Sequence, residues 1–371
     1  MATRRAASPS RPLRRGGVAQ AQRLRDVIAA LRARYGPSII RTGAEVLVLP
    51  AAVAPYDRPL STGSLGLDLI AAGLPRGGIA EYAGVDGSGK EALALAALAA
   101  CQRAEGTVLL VDADGAVDPD ALCAAGVDLQ RLVLACPTAA VEAWHILVSL
   151  ARADALDLIM LLSLPGLLAL PGDAGSMGGG TRPARGLARL TLALHGSLTT
   201  ALLVNQPLPF YGASHLLHPR AREEPEAGQS PSPALWTTHG GAAMAQAARL
   251  RIALQPAGFR LAAWGDIAGV RATAVVIKHR GMAHTERVAL EFGPDGLRRT
   301  AELVALGLRT GCLRETALGL GLDDHILGRS ADRAAALLES QPAVAAELER
   351  RIRAAWRASS VPHPSARDGG H

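Results

Sequence analysis

Short apolar runs, bounded by turn residues and separated by segments of helical periodicity, repeat through the middle of the chain. Ile79 to Tyr82, Thr107 to Val111, Leu156 to Leu162 and Thr200 to Val204 are each too short for a helix and almost wholly apolar, the pattern of strands buried on both faces. Glu91–Ala100, Val141–Arg152 and Gly186–His195 lie between them with helical composition and no breaker. Alternation of this kind predicts an α/β fold around a mostly parallel sheet. Strands near Leu250–Leu254 and Thr273–Ile277 follow. From about Thr300 the texture changes to short helices and turns, with Ser330 as an N-cap and a last helix from Pro342 to Trp356. Ahead of the core, Leu24, Val27, Ile28, Leu31 and Tyr35 fall at helical spacing, Gly36-Pro37 ends that helix, and a short apolar piece runs from Glu45 to Val53. This pair either packs at home or docks on a neighbouring subunit. No internal repeat is present.

The first of these strands feeds a Gly-rich turn, Gly84-Val85-Asp86-Gly87-Ser88-Gly89-Lys90, which opens directly into a helix. Strand, G-x-x-x-x-G-K and helix together form a phosphate-binding context. Glycines let backbone N–H groups turn inward around an anion, the helix N-terminus adds its positive end, and the lysine reaches the outer phosphates. The residue after the lysine should be a Ser or Thr whose hydroxyl holds Mg²⁺; here it is Glu91. The strand at 107–111 ends in Asp112-Ala113-Asp114, either a water-activating group beside the phosphates or a plain turn cap. Asn205-Gln206 end another strand where a γ-phosphate would lie.

Two long breaker-rich stretches, Leu170–Arg185 with Arg182 and Arg185, and Pro207–Leu235 with six prolines, read as functional or disordered loops. Thr237-Thr238-His239-Gly240-Gly241 closes the second loop and opens a helix, a further candidate anion-binding turn.

Charge sharpens the picture. The 371 residues carry a formal net charge of +6, which favours an anionic partner. Of 39 cations only two are lysine, Lys90 and Lys278. A bias toward arginine is expected to erase lysine wherever the two are exchangeable, and they are not exchangeable where a compact ammonium must fit among phosphates. Lys278 therefore reads either as a second phosphate-facing group or as a surface lysine at a strand end. Residues 1–16 hold five arginines, two prolines and no acid, a basic arm that either touches nucleic-acid backbone or merely solubilises. Four dispersed cysteines form no metal or disulfide pattern, which points to a reducing, cytoplasmic setting. No apolar run is long enough to span a membrane.

These landmarks resemble the bacterial RecA recombinases nearly end to end, from about residue 18 to 357. The likeness is carried by RYGPSIIRTG (34–43), STGSLGLD (61–68), AGLPRGGIAE (72–81), GVDGSGK (84–90), VDADGAVDP (111–119), LVNQ (203–206), TTHGG (237–241), IKHR (277–280) and the segment 330–356. The resemblance implies a RecA-like ATPase core with a mostly parallel central sheet at 59–298 and a helix–strand oligomerisation arm at 18–58 behind the basic arm 1–17. A small C-terminal α/β domain at 299–357 and a flexible tail at 358–371 complete it. It implies ATP and Mg²⁺ as cofactors and single-stranded DNA and further copies of the chain, in a filament, as partners in DNA repair, recombination and the SOS response.

By the same resemblance ATP lies on Gly84 to Glu91, reached from a neighbour by Lys278 and Arg280. Asp114 corresponds to the acid that activates water, where the family has Glu. Gln206 corresponds to the γ-phosphate sensor. DNA lies against two loops, 172–185 and 207–241, so Arg182, Arg185, Phe210, Thr238, Gly240 and Gly241 become candidate contacts, Phe210 either as a wedge between bases or as a local anchor.

The departures are equally specific. Glu91 stands at the Mg²⁺-binding hydroxyl and Leu162 at the Mg²⁺-binding aspartate, so Glu91 is left as the one candidate metal ligand. Ala121 stands where the family stacks a tyrosine on adenine, and Pro207-Leu208-Pro209 replaces basic and apolar contacts of the second loop. The resulting expectation is ATP and DNA binding with weak or absent hydrolysis. The alternative is an accessory protein resembling the ImuA group, acting on a translesion polymerase without nucleotide chemistry.

Overall fold

The computed structural model describes residues 59–171, 182–208, 236–261, 265–279, 286–323 and 325–360, together with helical positions 22, 26, 29, 30 and 33. The chain divides into two units, 1–57 and 58–371. Within the first, Gln22 Nε2 donates to Asp26 Oδ1 one helical turn on.

The second unit is built on a nine-stranded sheet of order β3-β2-β4-β5-β1-β6-β7-β8-β9. Its strands are β1 Ile79–Gly84, β2 Val108–Val111, β3 Leu132–Ala135, β4 Leu158–Leu161, β5 Thr200–Asn205, β6 Ala248–Leu261, β7 Ile267–His279, β8 Arg287–Gly293 and β9 Gly296–Leu297. From β3 to β6 every pairing is parallel; β6 to β9 are antiparallel. The expected α/β class and mostly parallel sheet are observed. Strands β1, β2, β4 and β5 are buried along their whole length, as the near-continuous apolar runs require. β6 and β7 are 14 and 13 residues long, well beyond the apolar cores at 250–254 and 273–277, because their outer halves are exposed or half-buried and give no buried-strand signal.

Helices cover both faces. α1 Leu65–Ala71, α2 Lys90–Arg103 and α3 Pro119–Ala124 lie on one; α4 Ala140–Ala153, α5 Leu164–Ala169, α6 Arg182–Leu194 and α7 Gly241–Ala247 lie on the other. Side chains alternate accordingly. Ala80 and Tyr82 of β1 join Leu93, Ala97 and Leu98 of α2, whereas Ile79 joins Leu147, Leu187 and Met244. With so few aromatics, Ala, Leu and Val fill both layers. α2 is Ala-rich because it packs closely: a Cβ on Gly63 would lie 2.6 Å from the Ala97 nitrogen.

The last part of the chain departs from the short helices and turns read from its texture and has the α/β make-up that the resemblance implied. α8 Arg299–Arg309 is followed by a three-stranded antiparallel sheet, β10 Arg314–Thr316, β11 Gly319–Leu322 and β12 His325–Gly328, then α9 Ala331–Ser340 and α10 Pro342–Ser360. Ser330 caps α9 as the sequence indicated, its oxygen accepting from Arg333 N. This region shares its core with α1 through Leu65. A polar staple reinforces the join. Glu302 of α8 accepts from Ser64 Oγ at 2.5 Å, from Gly66 N at 2.9 Å and from Leu65 N at 3.0 Å, so one carboxylate caps the start of α1. Asp68 accepts from Ser61 and Thr62 nearby.

Burial raises the pKa of Glu302, with the Asp68 charge adding to it against the hydrogen bonds from Ser64, Gly66 and Leu65; burial raises Asp68 likewise. The folded chain therefore binds these protons more tightly than the unfolded chain. Their stabilisation is complete below the ordinary carboxylate range and is lost as pH rises through the raised values. Replacing Glu302 by Ala strands three donors, and urea unfolding at pH 5 is expected to show a loss of about 3 kcal/mol. The loss should shrink as pH rises. A loss that grows with pH would mean that the fold favours the ionised carboxylate.

Candidate nucleotide and nucleic-acid site

The phosphate loop has the geometry its glycines demand. Gly87 and Gly89 take φ of +76° and +82°, in the left-handed region. A Cβ on Gly84 would lie 2.2 Å from Ser88 Oγ, and one on Gly89 would lie 2.3 Å from the Phe292 ring. Ser88 N donates to Val85 O at 3.1 Å to close the turn, while Ser88 Oγ is buried with no protein partner. α2 begins at Lys90 with Gly89 as N-cap and no side-chain cap, which leaves its first amides turned toward the loop.

The loop borders a cleft of about 330 Å³. Asp86, Lys90 and Glu91 line one wall, Asp114, Leu162 and Gln206 another, and Val117, Ala121 and Leu122 the apolar end. The sequence expectation that gathered Lys90, Glu91, Asp114 and Gln206 thus corresponds to one concavity. Asp112 and Asp114 divide the two readings offered for their segment. Asp112 is buried and accepts from Ala116 N and Val117 N, both at 3.2 Å, whereas Asp114 is exposed on the cleft. Ser163 spends its oxygen on Gly166 N at 2.9 Å, capping α5.

Inside the loop the charges are paired at home. The Lys90 side chain is only 2% exposed, and its Nζ lies 2.5 Å from Glu91 Oε1 and 3.4 Å from Asp86 Oδ1. Gln206 Nε2 donates to the same Asp86 Oδ1 at 2.6 Å. Both groups expected to face phosphate therefore meet a carboxylate of the loop.

Behind the loop lies a network that the sequence reading missed. Glu81, fully buried on β1, accepts from Thr238 Oγ1 at 2.6 Å, from Asn205 Nδ2 at 2.7 Å and from Arg251 Nε. Arg251 Nη2 also donates to Thr238 Oγ1 at 3.2 Å, and Asn205 Nδ2 to His239 O at 2.9 Å. Glu81 and Arg251 are register partners across the parallel β1–β6 pair, so their side chains share a face. An acid inside the apolar run IAEYAG, with an arginine inside LRIAL, was the available signal.

Thr238, expected at the nucleic-acid site, is 1% exposed and donates its hydroxyl to Glu81, which ties the turn to β1. Gly240 and Gly241 take φ of +88° and +54° at the start of α7. Pro207 pairs with Thr238, and Leu208 N donates to Thr237 O at 2.7 Å, so the two ends of the second loop meet. His239 is lowered in pKa by burial.

Lys278 is another surprise. Its Nζ donates to Ala245 O at 2.6 Å and Gln246 O at 3.3 Å, the carbonyls that end α7. Burial lowers its pKa, Arg251 beside it lowers it further, and Glu81 opposes. Arg185 is exposed on α6; Arg182 begins that helix. Phe210 and Arg280 lie outside the described residues, as do 172–181 and 209–235.

A family model of the RecA N-terminal domain matches residues 36–208. Protein RecA of Gluconacetobacter polyoxogenes is 30% identical over 304 residues, covering 79% of this chain and 82% of the relative. The chain belongs to the RecA family. Protein RecA of Streptomyces venezuelae is 31% identical over 304 residues, 79% of this chain and 75% of that one. A solved RadB recombinase aligns at a TM-score of 0.45 and 19% identity, over 64% of this chain and 98% of its own. Among the described residues no helix is long and apolar enough to cross a membrane, and no group of three or more His, Cys, Asp or Glu is arranged to hold a metal.

Because Glu81 is sealed among donors, removing either charge leaves the other unpaired. Glu81→Ala and Arg251→Ala should each cost about 3–5 kcal/mol in urea unfolding. The double variant should cost clearly less than their sum. Strict additivity would mean that the two charges do not interact.

Proposed function

We propose that this RecA-family chain binds ATP and single-stranded DNA and hydrolyses ATP weakly or not at all. One observation carries the reading: the loop at 84–90 keeps its anion-binding form, while the two family positions for the metal hold Glu91, turned onto Lys90, and Leu162, a hydrocarbon.

ATP fits the residues present. Gly87 and Gly89 hold the left-handed dihedrals of the turn, the amides opening α2 supply donors, and Ser88 Oγ is a buried hydroxyl with no protein acceptor or donor. A bound ATP would supply the triphosphate whose γ-phosphoryl group passes to water, with ADP as the leaving group. Lys90 would neutralise its charge, Gln206 would donate to its outer oxygens, and Asp114 would accept a proton from the attacking water. The apolar end at Val117, Ala121 and Leu122 would take the base, without an aromatic to stack on it.

Mg²⁺ does not fit. The hydroxyl is replaced by a carboxylate already paired with Lys90, Leu162 offers no donor, and Ser163 is spent on its own helix. Phosphoryl transfer rests on positioning and charge stabilisation, so this donor set is expected to cost on the order of 10³-fold in turnover.

The DNA part of the proposal rests on family membership, the exposed Arg185 in the first turn of α6, where the segment 172–185 ends, and the joined ends of the second loop. The same membership supports assembly with further copies of the chain and a cytoplasmic setting. The self-paired loop also favours a second reading, an accessory partner of an error-prone polymerase. Salt-dependent binding of single-stranded DNA supports the first reading; capture of the polymerase by a chain that ignores DNA supports the second.

Phosphate release in the presence of single-stranded DNA tests the degeneracy directly. The double variant Glu91→Thr/Leu162→Asp restores a hydroxyl and a carboxylate, and should raise turnover by roughly 10-fold or more with Mg²⁺. A wild-type protein already as fast as that variant, with both binding ATP, would sink the proposal.

A further inference from the structure

We infer that the carboxylates of Asp86 and Glu91 act as an internal surrogate for a bound phosphate, so that nucleotide enters this loop only by displacing them. The inference rests on the nucleotide-binding reading above and adds what sets the affinity of that site.

Lys90 and Gln206 are the two cleft groups suited to grip a terminal phosphate, and each is held by an anionic oxygen of the chain itself. Glu91 Oε1 lies 2.5 Å from Lys90 Nζ; Asp86 Oδ1 lies 3.4 Å from the same nitrogen and accepts from Gln206 Nε2 at 2.6 Å. Lys90 is sealed, so its ammonium is deprived of water as well as of a free approach. The two carboxylates differ in weight. Asp86 is 88% exposed and longer in contact, which leaves its pairing with Lys90 weak. Glu91 is closer and about half-buried, so it carries the larger share.

The surrogate reaches further than the loop. Gln206 follows Asn205, whose side chain accepts from Gln206 N at 2.8 Å and donates to Glu81 and to His239 O. Asp86 therefore joins a continuous set of hydrogen bonds ending at the closing turn of the second loop, complete with no nucleotide contributing. A hydroxyl at position 91 would leave Lys90 without its nearer partner. An acid there lets the chain satisfy its own lysine, at the cost of repelling the incoming phosphates by like charge.

Titration of the full-length chain with ATP carrying a fluorescent label on its ribose, without and with Mg²⁺, tests this. Wild type is compared with Glu91→Gln, Glu91→Thr and Asp86→Asn/Glu91→Gln. Binding should tighten at least 10-fold in the double variant, about 1.4 kcal/mol, with most of the gain present in Glu91→Gln and no requirement for Mg²⁺. The amides are near-isosteric, and Glu91→Thr provides a second route should one variant fold poorly. Wild-type binding equal to or tighter than that of the variants overturns the inference while leaving the nucleotide reading intact. No binding by any of the four proteins overturns the nucleotide reading and the inference with it.

Discussion

A carboxylate closed inside a sheet has to be met by donors on every side, because an unmatched buried charge costs more than most folds can spare. Glu81 is in that position, and meeting its demand fixes much of the functional half of this protein. Its donors come from β5 (Asn205), β6 (Arg251) and the turn before α7 (Thr238). Strands that are neighbours only through long crossovers are thereby held in one register. The phosphate loop leaves β1 three residues beyond Glu81, so the cradle inherits this rigidity.

The constraint also explains why the loop keeps its form without the chemistry that usually accompanies it. Gly84 is hemmed in by Ser88 and by the Leu254 carbonyl, and Gly89 by Phe292 of β8. These are packing requirements of the sheet and of α2, independent of any metal or nucleotide. A chain that lost its metal ligands would still hold the turn in place, since core packing and the Glu81 network act on it from behind. Leu162 fits the same logic: beside the apolar layer formed by Leu93, Leu110 and Met160, a leucine gains contact where an aspartate would need a counter-charge.

Much of this was legible in the order of the residues. The buried parallel strands and the helices between them announced themselves because both faces of the sheet are covered, which leaves unbroken apolar runs. The loop was legible because only glycines satisfy its dihedrals and clearances. Three features were not. Outer β6 and β7 carry exposed positions such as Phe259, Leu261 and Ile267, so their strand character comes from mutual pairing rather than from burial. The small sheet at 314–328 is made of strands three or four residues long, below what periodicity can register. The pairing of Lys90 with Glu91, and of Asp86 with Gln206, depends on rotamers and on contact across strands. A motif marks these side chains for a ligand and carries no signal that they can satisfy one another.

The scarcity of lysine makes the same point from the other side. Arginine has taken almost every cationic position in this chain, yet position 278 remains lysine, and the structure gives a local reason. A compact ammonium with three donors can sit across the last carbonyls of α7, where a planar guanidinium would need more room between β7 and that helix. Retention of lysine there does not by itself require a phosphate. It does set a condition on any role between copies of the chain. If Lys278 is to reach an anion on a neighbour, it has to give up the Ala245 and Gln246 carbonyls and uncap a helix of only seven residues that begins at the second loop. Assembly through Lys278 would then loosen the end of α7, and the coupling between an interface and the loop would run through a single ammonium that cannot serve both partners at once.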